Sequence, residues 1–280
     1  MKEHRLQLAC GQTFLLEEGE GKETIMFLHG SGPGANALSN WRFALPFFAN
    51  NYRCLAPDLL GFGHSDAPKE ITGVKAWLPS WLRQCIEILD HFGLDKVHLV
   101  GNSMGGGIAL HLLAQYPECF ARVVLMGSVG VPFAATDALA RGWSFYQQCS
   151  EEELAWLIRQ FVSNPDILGA DIGSIARERM ALVMQEKIKE AFTRMFPGAA
   201  QNHVDALALP EEKTKTIPHA TLITHGREDV FIPLDNAYVL EHLLPVAQAH
   251  VFSHCGHWIQ IERRDAFHHL LQAFFAGNLD

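Results

Sequence analysis

The chain has 280 residues, of which 48% are hydrophobic and 19% are charged. This length and composition suffice for one domain with a sizeable core, with room for one insertion, and they argue against disorder. The formal net charge of −9 argues against nucleic acid or an acidic membrane surface as a partner. An anionic substrate would therefore need a cation placed locally in its site.

Short apolar runs alternate with helical patterns along the chain. The runs that predict buried strands are 24–30, 53–58, 97–103, 123–128, 220–226 and 249–257. The helical patterns cover 78–93, 107–117 and 265–277, and Gly277 stands where the last helix should end. This alternation predicts an α/β fold, with a mostly parallel twisted sheet flanked by helices. Functional groups should then lie in loops at the carboxyl ends of the strands.

One long stretch breaks the alternation. Residues 131–210 show no strand pattern and are amphipathic and helical, as in "EEELAWLIRQFV". We predict a helical insertion over 131–210, between the two parts of the core at 1–130 and 211–280. Extra packing is one interpretation of this insertion. We favour a lid over the loop ends, because such loops carry sites.

The stretch "GNSMG" at 101–105 has the form G-x-S-x-G, between a predicted strand and a predicted helix. A sharp strand-to-helix turn with small neighbours exposes the hydroxyl of Ser103. The start of the following helix also favours developing negative charge. The alternative is that Ser103 only caps this helix. The context favours a nucleophile.

A serine hydroxyl needs a base, and in this topology the acid and then the base follow later in the chain. His254 and His257 both follow the last predicted strand, and a neighbouring glycine favours His257 at the loop tip. Glu228 and Asp229 follow the preceding strand. The shorter side chain of Asp229 suits an acid that holds an imidazole in one tautomer. The sequence thus predicts a triad of Ser103, Asp229 and His257.

An acyl-transfer site also needs N–H donors for an oxyanion. The residue after the nucleophile, Met104, supplies one. We assign the second to Ser31, in the early loop "HGSGPGA", whose glycines Gly30 and Gly32 let a substrate approach the backbone. This loop lacks the Lys-Ser/Thr end of a P-loop and does not match G-x-G-x-x-G. The order of these features along the chain predicts the α/β-hydrolase fold.

The six cysteines are scattered without a C-x-x-C pair. Neither a disulfide framework nor a zinc motif is therefore predicted, and we expect no metal and no other cofactor. The first residues lack an apolar signal core, and no apolar run approaches membrane-spanning length. We expect a cytoplasmic protein with reduced thiols and no membrane partner.

Five motifs together resemble the meta-cleavage product hydrolases, which are α/β-hydrolases that cleave carbon–carbon bonds in aromatic degradation. The motifs are "HGSGPGA", "SNW", "GNSMGG", "HGRED" and "HCGHW". The resemblance covers essentially the whole chain. It implies hydrolysis of a 2-hydroxy-6-oxo-hexa-2,4-dienoate to 2-hydroxypenta-2,4-dienoate and a carboxylic acid, in a homodimer or larger homo-oligomer. Two stretches, 125–131 and 195–207, look most like members for 2-hydroxymuconate semialdehyde and its small 6-alkyl analogues.

The same resemblance implies substrate contacts. Asn40, Asn102 and Trp258 match polar contacts of the family, and "ARERMALVMQ" resembles the segment that carries its arginine. Arg179 fits that role better than Arg177, because a bulky residue follows it. A guanidinium suits the dienoate carboxylate. On residue pattern alone, Asn40 is equally a helix cap or a contact, and the pattern favours Trp258 as a core residue and Arg179 as a solvated charge.

Two other functions use the same residues. A carboxylesterase or lactonase would share the triad, but Arg179 would then have no essential anion to bind. A ligand receptor on this fold would keep the triad as part of a binding pocket and turn nothing over. We do not expect an epoxide hydrolase or a haloalkane dehalogenase, because these enzymes place an aspartate at the position of Ser103.

Overall fold

A central sheet of eight strands organises the computed structural model, which describes residues 1–169 and 172–279. The spatial order is β1-β2-β4-β3-β5-β6-β7-β8. The strands are β1 (Lys2–Leu8), β2 (Gly11–Glu18), β3 (Thr24–Leu28), β4 (Arg53–Pro57), β5 (Val97–Asn102), β6 (Phe120–Met126), β7 (Thr221–Gly226) and β8 (Ala247–Phe252). The six strands from β4 to β8 in this order pair in parallel, which confirms the predicted α/β-hydrolase architecture.

Helices cover both faces of the sheet. The α-helices are α1 (Ala37–Trp41), α2 (Ala44–Phe48), α3 (Val74–Phe92), α4 (Met104–Gln115), α5 (Asp137–Trp143), α6 (Glu151–Gln160), α7 (Ile172–Val183), α8 (Glu186–Met195), α9 (Ala200–Leu207), α10 (Glu211–Thr214), α11 (Asp235–Leu243), α12 (Ile259–Glu262) and α13 (Arg264–Phe275). Single 3-10 turns lie at Pro117–Cys119, Phe145–Gln147 and Pro165–Leu168. The last helix ends before Gly277, whose φ of 74° suits a helix terminus.

Two hydrophobic cores lie on opposite faces of the sheet, because side chains alternate along each strand. In β3, Met26 and Leu28 point into the core that holds α3 and α4. Ile25 and Phe27 belong to the core that holds α1, α2 and α13. All four side chains are completely buried, so β3 is a central strand of the fold.

The antiparallel strands β1 and β2 were not among the predicted strands. They form a hairpin at one edge of the sheet and join it through β2 and β4. Strand β1 reads KEHRLQL, and only Leu6 in it is buried. An edge strand needs few apolar side chains, because one side of its backbone faces solvent. The apolar-run criterion therefore overlooks it.

The register of the parallel strands brings their carboxyl ends side by side. Leu28 of β3 pairs with Gly101 of β5, and Asn102 pairs with Met126 of β6. Met126 pairs in turn with Thr224 of β7. The loops that follow these strands therefore meet at one edge of the sheet, as expected for sites in open α/β sheets.

Between β6 and β7, every regular element in the described residues is helical, from α5 to α10 with two 3-10 turns. Residues 170–171 fall inside this stretch and lie outside the described residues. Among the described helices, none is both long and apolar enough to cross a bilayer. All six cysteines are free thiols.

Candidate active site

The turn around Ser103 connects β5 to α4. Ser103 has φ 55° and ψ −117°, a backbone conformation that residues other than glycine rarely adopt. Its N–H donates to the Met126 carbonyl at 2.9 Å, and its hydroxyl makes no capping hydrogen bond to α4. The hydroxyl is thus not used as a helix cap, and Ser103 lines a cavity.

Close packing explains the glycines of this turn. A Cβ on Gly105 would lie 2.5 Å from the Leu28 carbonyl oxygen, and a Cβ on Gly101 would lie 2.5 Å from the Gly105 carbonyl oxygen. Real Cβ atoms do not approach backbone so closely. The first turn of α4 therefore packs directly against the end of β3, which is possible only with glycine at position 105.

His257 and Asp229 form a buried pair beside Ser103. His257 Nδ1 lies 2.6 Å from Asp229 Oδ2, and the two side chains are 3% and 0% exposed. Asp229 Oδ1 accepts the N–H groups of Phe231 and Ile232 at 2.8 and 3.0 Å. Burial raises the pKa of the Asp229 carboxyl, but the charge and hydrogen bond of His257 lower it more, so the pKa lies below its ordinary value. Asp229 is therefore an anion that accepts the Nδ1 proton and leaves Nε2 as the basic nitrogen.

The two alternative residues lie elsewhere. His254 is exposed with φ 52°, and its carbonyl accepts a hydrogen bond from Arg263 at 2.9 Å. Glu228 is also exposed, and its carboxylate accepts the Cys255 N–H at 2.8 Å. Glu228 thus helps to hold the loop of His257, a structural contact that the sequence did not indicate.

The two predicted oxyanion donors lie on either side of the turn. Within residues 1–169 and 172–279, neither the Ser31 N–H nor the Met104 N–H donates to a protein acceptor. Met104 is the first residue of α4, where the helix dipole favours negative charge. The Ser31 hydroxyl accepts the indole N–H of Trp143 at 2.8 Å. Both amides are therefore available to a ligand.

His29 fixes the loop that carries Ser31. Its Nδ1–H donates to the Gly30 carbonyl at 2.7 Å, and its Nε2 accepts the Leu59 N–H at 2.9 Å. These two bonds require the neutral ring with a proton on Nδ1. Burial lowers the pKa of His29 to about 4, so the ring stays neutral at physiological pH and the loop keeps its shape.

Most of the predicted site residues surround one small cavity of about 30 Å³. Its walls are formed by Gly30, Ser31, Gly32, Ala35, Ser39, Asn40, Asn102, Ser103, Phe161, Arg179, His257 and Trp258. Asp229 lies behind His257, and Met104 lies behind Ser103 at the start of α4. The structure therefore brings the predicted residues together from five separate segments of the chain.

Two asparagines contribute polar atoms to this cavity. Asn40 Oδ1 accepts the Gly30 N–H at 3.4 Å, while its buried Nδ2 has no partner among the described residues. Asn40 is not a helix cap, because Asn36 caps α1 through a capping box with Ser39. Asn102 Nδ2 donates to the Met126 carbonyl at 3.1 Å. A buried, unpaired amide at a cavity wall indicates a ligand contact.

Arg179 is the cation of the cavity. Its Cζ lies 5.8 Å from the ring centre of Trp258, and its Nε donates weakly to the Gly34 carbonyl at 3.4 Å. Gly34 has φ 68°, and a Cβ there would lie 3.0 Å from Arg179 Cγ. Burial and the nearby charge of Arg42 lower the pKa of Arg179 to about 10, so the group remains charged at neutral pH. Arg177 is instead exposed and bonds to Ser174 at 2.9 Å.

An aromatic stack joins the helical insertion to the loop of His257. The Phe161 ring lies parallel to Trp258 at 4.4 Å and nearly parallel to Phe231 at 4.3 Å. Its carbonyl accepts the Trp258 N–H at 2.9 Å. Sequence reasoning did not single out Phe161, since a phenylalanine at the end of an amphipathic helix looks like ordinary core.

Glu262 was also not predicted. Its buried carboxylate accepts four hydrogen bonds, from the Ser163 N–H at 2.8 Å, the Ser163 hydroxyl at 3.0 Å, the Asn164 N–H at 3.0 Å and the Gly256 N–H at 2.5 Å. Gly256 immediately precedes His257. One carboxylate therefore holds both the segment that follows α6 and the loop of the candidate base. Among the described residues, no group of three His, Cys, Asp or Glu side chains is placed to hold a metal.

Comparison with known proteins places the chain in a family. A family model for the alpha/beta hydrolase fold matches residues 23–264. The chain is 37% identical to 2-hydroxy-6-oxo-2,4-heptadienoate hydrolase from Pseudomonas putida over 98% of this chain and 96% of that protein. It is 38% identical to 2-hydroxymuconate semialdehyde hydrolase from a Pseudomonas species over 96% of this chain and 92% of that protein.

A solved structure extends the similarity to three dimensions. The meta-cleavage product hydrolase CumD from Pseudomonas fluorescens, complexed with acetates, has a TM-score of 0.92 and 38% identity, and 99% of this chain and 98% of that chain are covered. The chain belongs to the meta-cleavage product hydrolases. A serine hydrolase from the polyaromatic hydrocarbon-degrading bacterium Cycloclasticus zankles is also similar to this hydrolase, with a TM-score of 0.98 and 48% identity over 100% of this chain and 99% of that chain.

The buried neutral His29 predicts an acid-sensitive stability of this hydrolase. Its pKa is about 4 in the folded protein and 6.5 ordinarily. The neutral His29 ring thus makes its full contribution to the free energy of unfolding above about pH 6.5. This contribution is lost as the pH falls towards 4, and the loss is about 3 kcal/mol. His29→Gln should remove this part of the pH dependence in urea unfolding.

The exposed His91 offers the matched control for this experiment. His91→Gln should leave the pH dependence of the unfolding free energy as it is in the unsubstituted protein. An equally steep pH dependence in His29→Gln would contradict the role assigned to the His29 ring.

The bonds of Glu262 predict an effect on turnover as well as on stability. Glu262→Gln replaces a carboxylate that accepts four bonds with an amide that also carries N–H donors. We expect a loss of about 2–3 kcal/mol in unfolding free energy. Turnover of p-nitrophenyl acetate should fall roughly tenfold to a hundredfold, because His257 would shift.

The free energy of unfolding is measured by urea titration, and ester turnover is measured at a temperature at which the variant is folded. Glu241→Gln, at an exposed position of α11, is the control and should change neither quantity. A Glu262→Gln variant that is destabilised but turns over the ester normally would show that Glu262 does not position His257.

Proposed function

We propose that this hydrolase cleaves the C5–C6 bond of 2-hydroxy-6-oxo-hexa-2,4-dienoates with a small C6 substituent. The products would be 2-hydroxypenta-2,4-dienoate and a small carboxylic acid. One observation carries the proposal: Arg179, a cation, lines the same cavity as Ser103 and His257. A simple esterase needs the serine and the histidine but has no use for this guanidinium.

In this proposal the polar end of the substrate binds at the Arg179 side of the cavity. A guanidinium can bind a carboxylate with two hydrogen bonds. The unpaired Nδ2 of Asn40 is a donor for the enolate or carboxylate oxygens. Asn102 and Trp258 complete the wall on either side. The overall charge of −9 makes this local cation necessary for an anionic substrate.

The first chemical step is ketonisation. His257 Nε2 takes the proton of the C2 hydroxyl and then delivers it to C5, so that the dienol becomes a ketone with an isolated C6 carbonyl. The negative charge that develops meanwhile on the dienolate is stabilised by Arg179 and the asparagine side chains. Asp229 keeps the imidazole in the tautomer that this transfer requires.

The second step breaks the carbon–carbon bond. Ser103, or a water that Ser103 and His257 activate, adds to the C6 carbonyl. The resulting oxyanion accepts hydrogen bonds from the Ser31 and Met104 N–H groups. When the C5–C6 bond breaks, its electron pair moves through the C3–C4 double bond to the C2 carbonyl oxygen, and His257 returns the proton it took from the nucleophile, which gives 2-hydroxypenta-2,4-dienoate. Water then releases the acyl group as a carboxylic acid if Ser103 has formed the acyl-enzyme.

The substrates for which similar proteins are named favour a small C6 substituent. The relatives at 37% and 38% identity are named for 2-hydroxy-6-oxo-2,4-heptadienoate and 2-hydroxymuconate semialdehyde. A relative named for the 6-phenyl substrate, from Burkholderia cepacia, is 34% identical. We therefore propose hydrogen or a short alkyl group at C6.

We further propose that residues 131–210 act as the lid of the α/β-hydrolase core formed by 1–130 and 211–280. The lid interpretation is supported by Phe161 and Arg179, which come from this stretch and line the cavity. We also expect this enzyme to work in the cytoplasm as a homo-oligomer. The six free thiols fit a reducing compartment.

Stopped-flow absorbance with three substrates tests the proposal. 2-Hydroxymuconate semialdehyde, its 6-methyl analogue and its 6-phenyl analogue are each mixed with the protein, and decay of the yellow dienolate is followed. We expect decay with the first two and a lower kcat/KM for the third. Ser103→Ala should lower kcat by at least roughly a thousandfold. No decay with any dienoate, beside rapid hydrolysis of p-nitrophenyl acetate, would indicate a carboxylesterase or lactonase instead.

Arg179→Gln separates anion binding from triad chemistry. We expect kcat/KM for the dienoate to fall by roughly a hundredfold or more, since a charge-assisted contact to the carboxylate is lost. Turnover of the neutral p-nitrophenyl acetate should stay within about threefold, because that ester has no carboxylate to bind. Arg177→Gln, on the same helix α7 but exposed, is the matched control. Equal losses on both substrates in Arg179→Gln would mean that Arg179 has a structural role.

A further inference from the structure

A second space adjoins the small cavity. It is a groove of about 460 Å³ on the outer side of Arg179. Its walls include Arg42, Leu38, Ile158, Leu182 and Ile261. Three residues, Ser39, Arg179 and Trp258, line both the groove and the inner cavity. Arg179 and Trp258 therefore form the partition between the two spaces.

The inner cavity alone is too small for a dienoate. It measures about 30 Å³, whereas pockets for small molecules usually span about 300–1,000 Å³. The outer groove lies within that range. A substrate whose C6 carbonyl reaches Ser103 must therefore extend past Arg179 or enter from the groove.

The groove carries positive charge, although the protein as a whole is acidic. Two arginines line it, and none of its lining residues in the described part of the chain is an aspartate or a glutamate, although the whole chain has a net charge of −9. Arg42 is exposed just after α1, with its Cζ 4.8 Å from the Phe43 ring centre. In the described part of the chain, no carboxylate lies within ion-pair distance of Arg42. The charge of Arg42 reaches Arg179, whose pKa it lowers.

We propose that this groove is an anion-recruiting vestibule, in which Arg42 binds the substrate carboxylate before Arg179 receives it. The inference rests on the proposed function, because it concerns the same dienoate. Apolar walls from Leu38, Ile158 and Leu182 suit the diene carbons, and a guanidinium suits the carboxylate. Arg42 thus offsets the repulsion that an acidic protein exerts on an anion.

The test compares three substitutions in otherwise unchanged protein. Arg42→Gln removes the charge, Arg42→Lys keeps it, and Arg5→Gln is the matched control. Arg5 is also exposed and also lies over a phenylalanine, with its Cζ 5.5 Å from the Phe14 ring centre, but it belongs to the edge strand β1. The probe is the 6-methyl dienoate, and kcat/KM is measured at an ionic strength of about 0.01 M and again at about 0.3 M.

At low ionic strength, Arg42→Gln should lower kcat/KM for the dienoate roughly tenfold, with kcat changed less than about twofold. The loss should shrink at high ionic strength because salt screens exposed charges. Arg42→Lys should retain kcat/KM within about threefold, and Arg5→Gln within about twofold. In a Ser103→Ala background, where cleavage is suppressed, the Kd for the same dienoate should rise with Arg42→Gln by roughly the same factor.

Two results would overturn the vestibule. The first is that Arg42→Gln and Arg5→Gln have equal kcat/KM for the dienoate at low ionic strength. If the unsubstituted protein cleaves the dienoate in that experiment, the proposed function stands without the vestibule. The second is a loss with Arg42→Gln that is equally large for p-nitrophenyl acetate, which would indicate a general structural effect. If the unsubstituted protein cleaves no dienoate, the proposed function fails and the vestibule fails with it.

Discussion

The site depends on the direct packing of the first turn of α4 against the carboxyl end of β3. A Cβ at Gly105 would lie 2.5 Å from the Leu28 carbonyl, so no side chain separates helix and strand. This approach forces the sharp turn in which Ser103 has φ 55°. It also places the Met104 N–H at the start of the helix and the loop of Ser31 beside it. The proposed nucleophile and both proposed oxyanion donors thus follow from one close contact.

The helical segment between β6 and β7 is bonded to the loops of the site, not merely packed over them. Trp143 donates to the Ser31 hydroxyl, the Phe161 carbonyl accepts the Trp258 N–H, and Glu262 joins Ser163 to the loop of His257. Each contact ties a residue of this segment to a loop that holds a proposed reacting group. Movement of this segment would therefore change the loop of Ser31 and the loop of His257 together, so the proposed lid would be coupled to the proposed catalytic groups.

Short sequence patterns predicted the features that neighbouring residues determine, namely the parallel strands and the tight turn. Apolar runs indicated the parallel strands, and the glycines around Ser103 indicated a tight turn, so the fold could be predicted and the site residues could be placed on its loops. The edge strand β1 was missed because its side chains are mostly polar and exposed. Phe161 and Glu262 were missed because each role depends on a partner about a hundred residues away in the chain, Trp258 for Phe161 and Ser163 for Glu262. Arg179 was separated from Arg177 by resemblance alone, whereas the structure places only Arg179 at the cavity.

The central claim is that Arg179 holds the substrate carboxylate while the C6 carbonyl lies between Ser103 and the oxyanion donors. A crystal structure of the Ser103→Ala protein soaked with the 6-methyl dienoate tests it directly. The account predicts the carboxylate within hydrogen-bond distance of the Arg179 guanidinium and the Asn40 amide, and the C6 oxygen facing the Ser31 and Met104 N–H groups. A dienoate bound in the opposite direction, or with its carboxylate away from Arg179, would contradict the account.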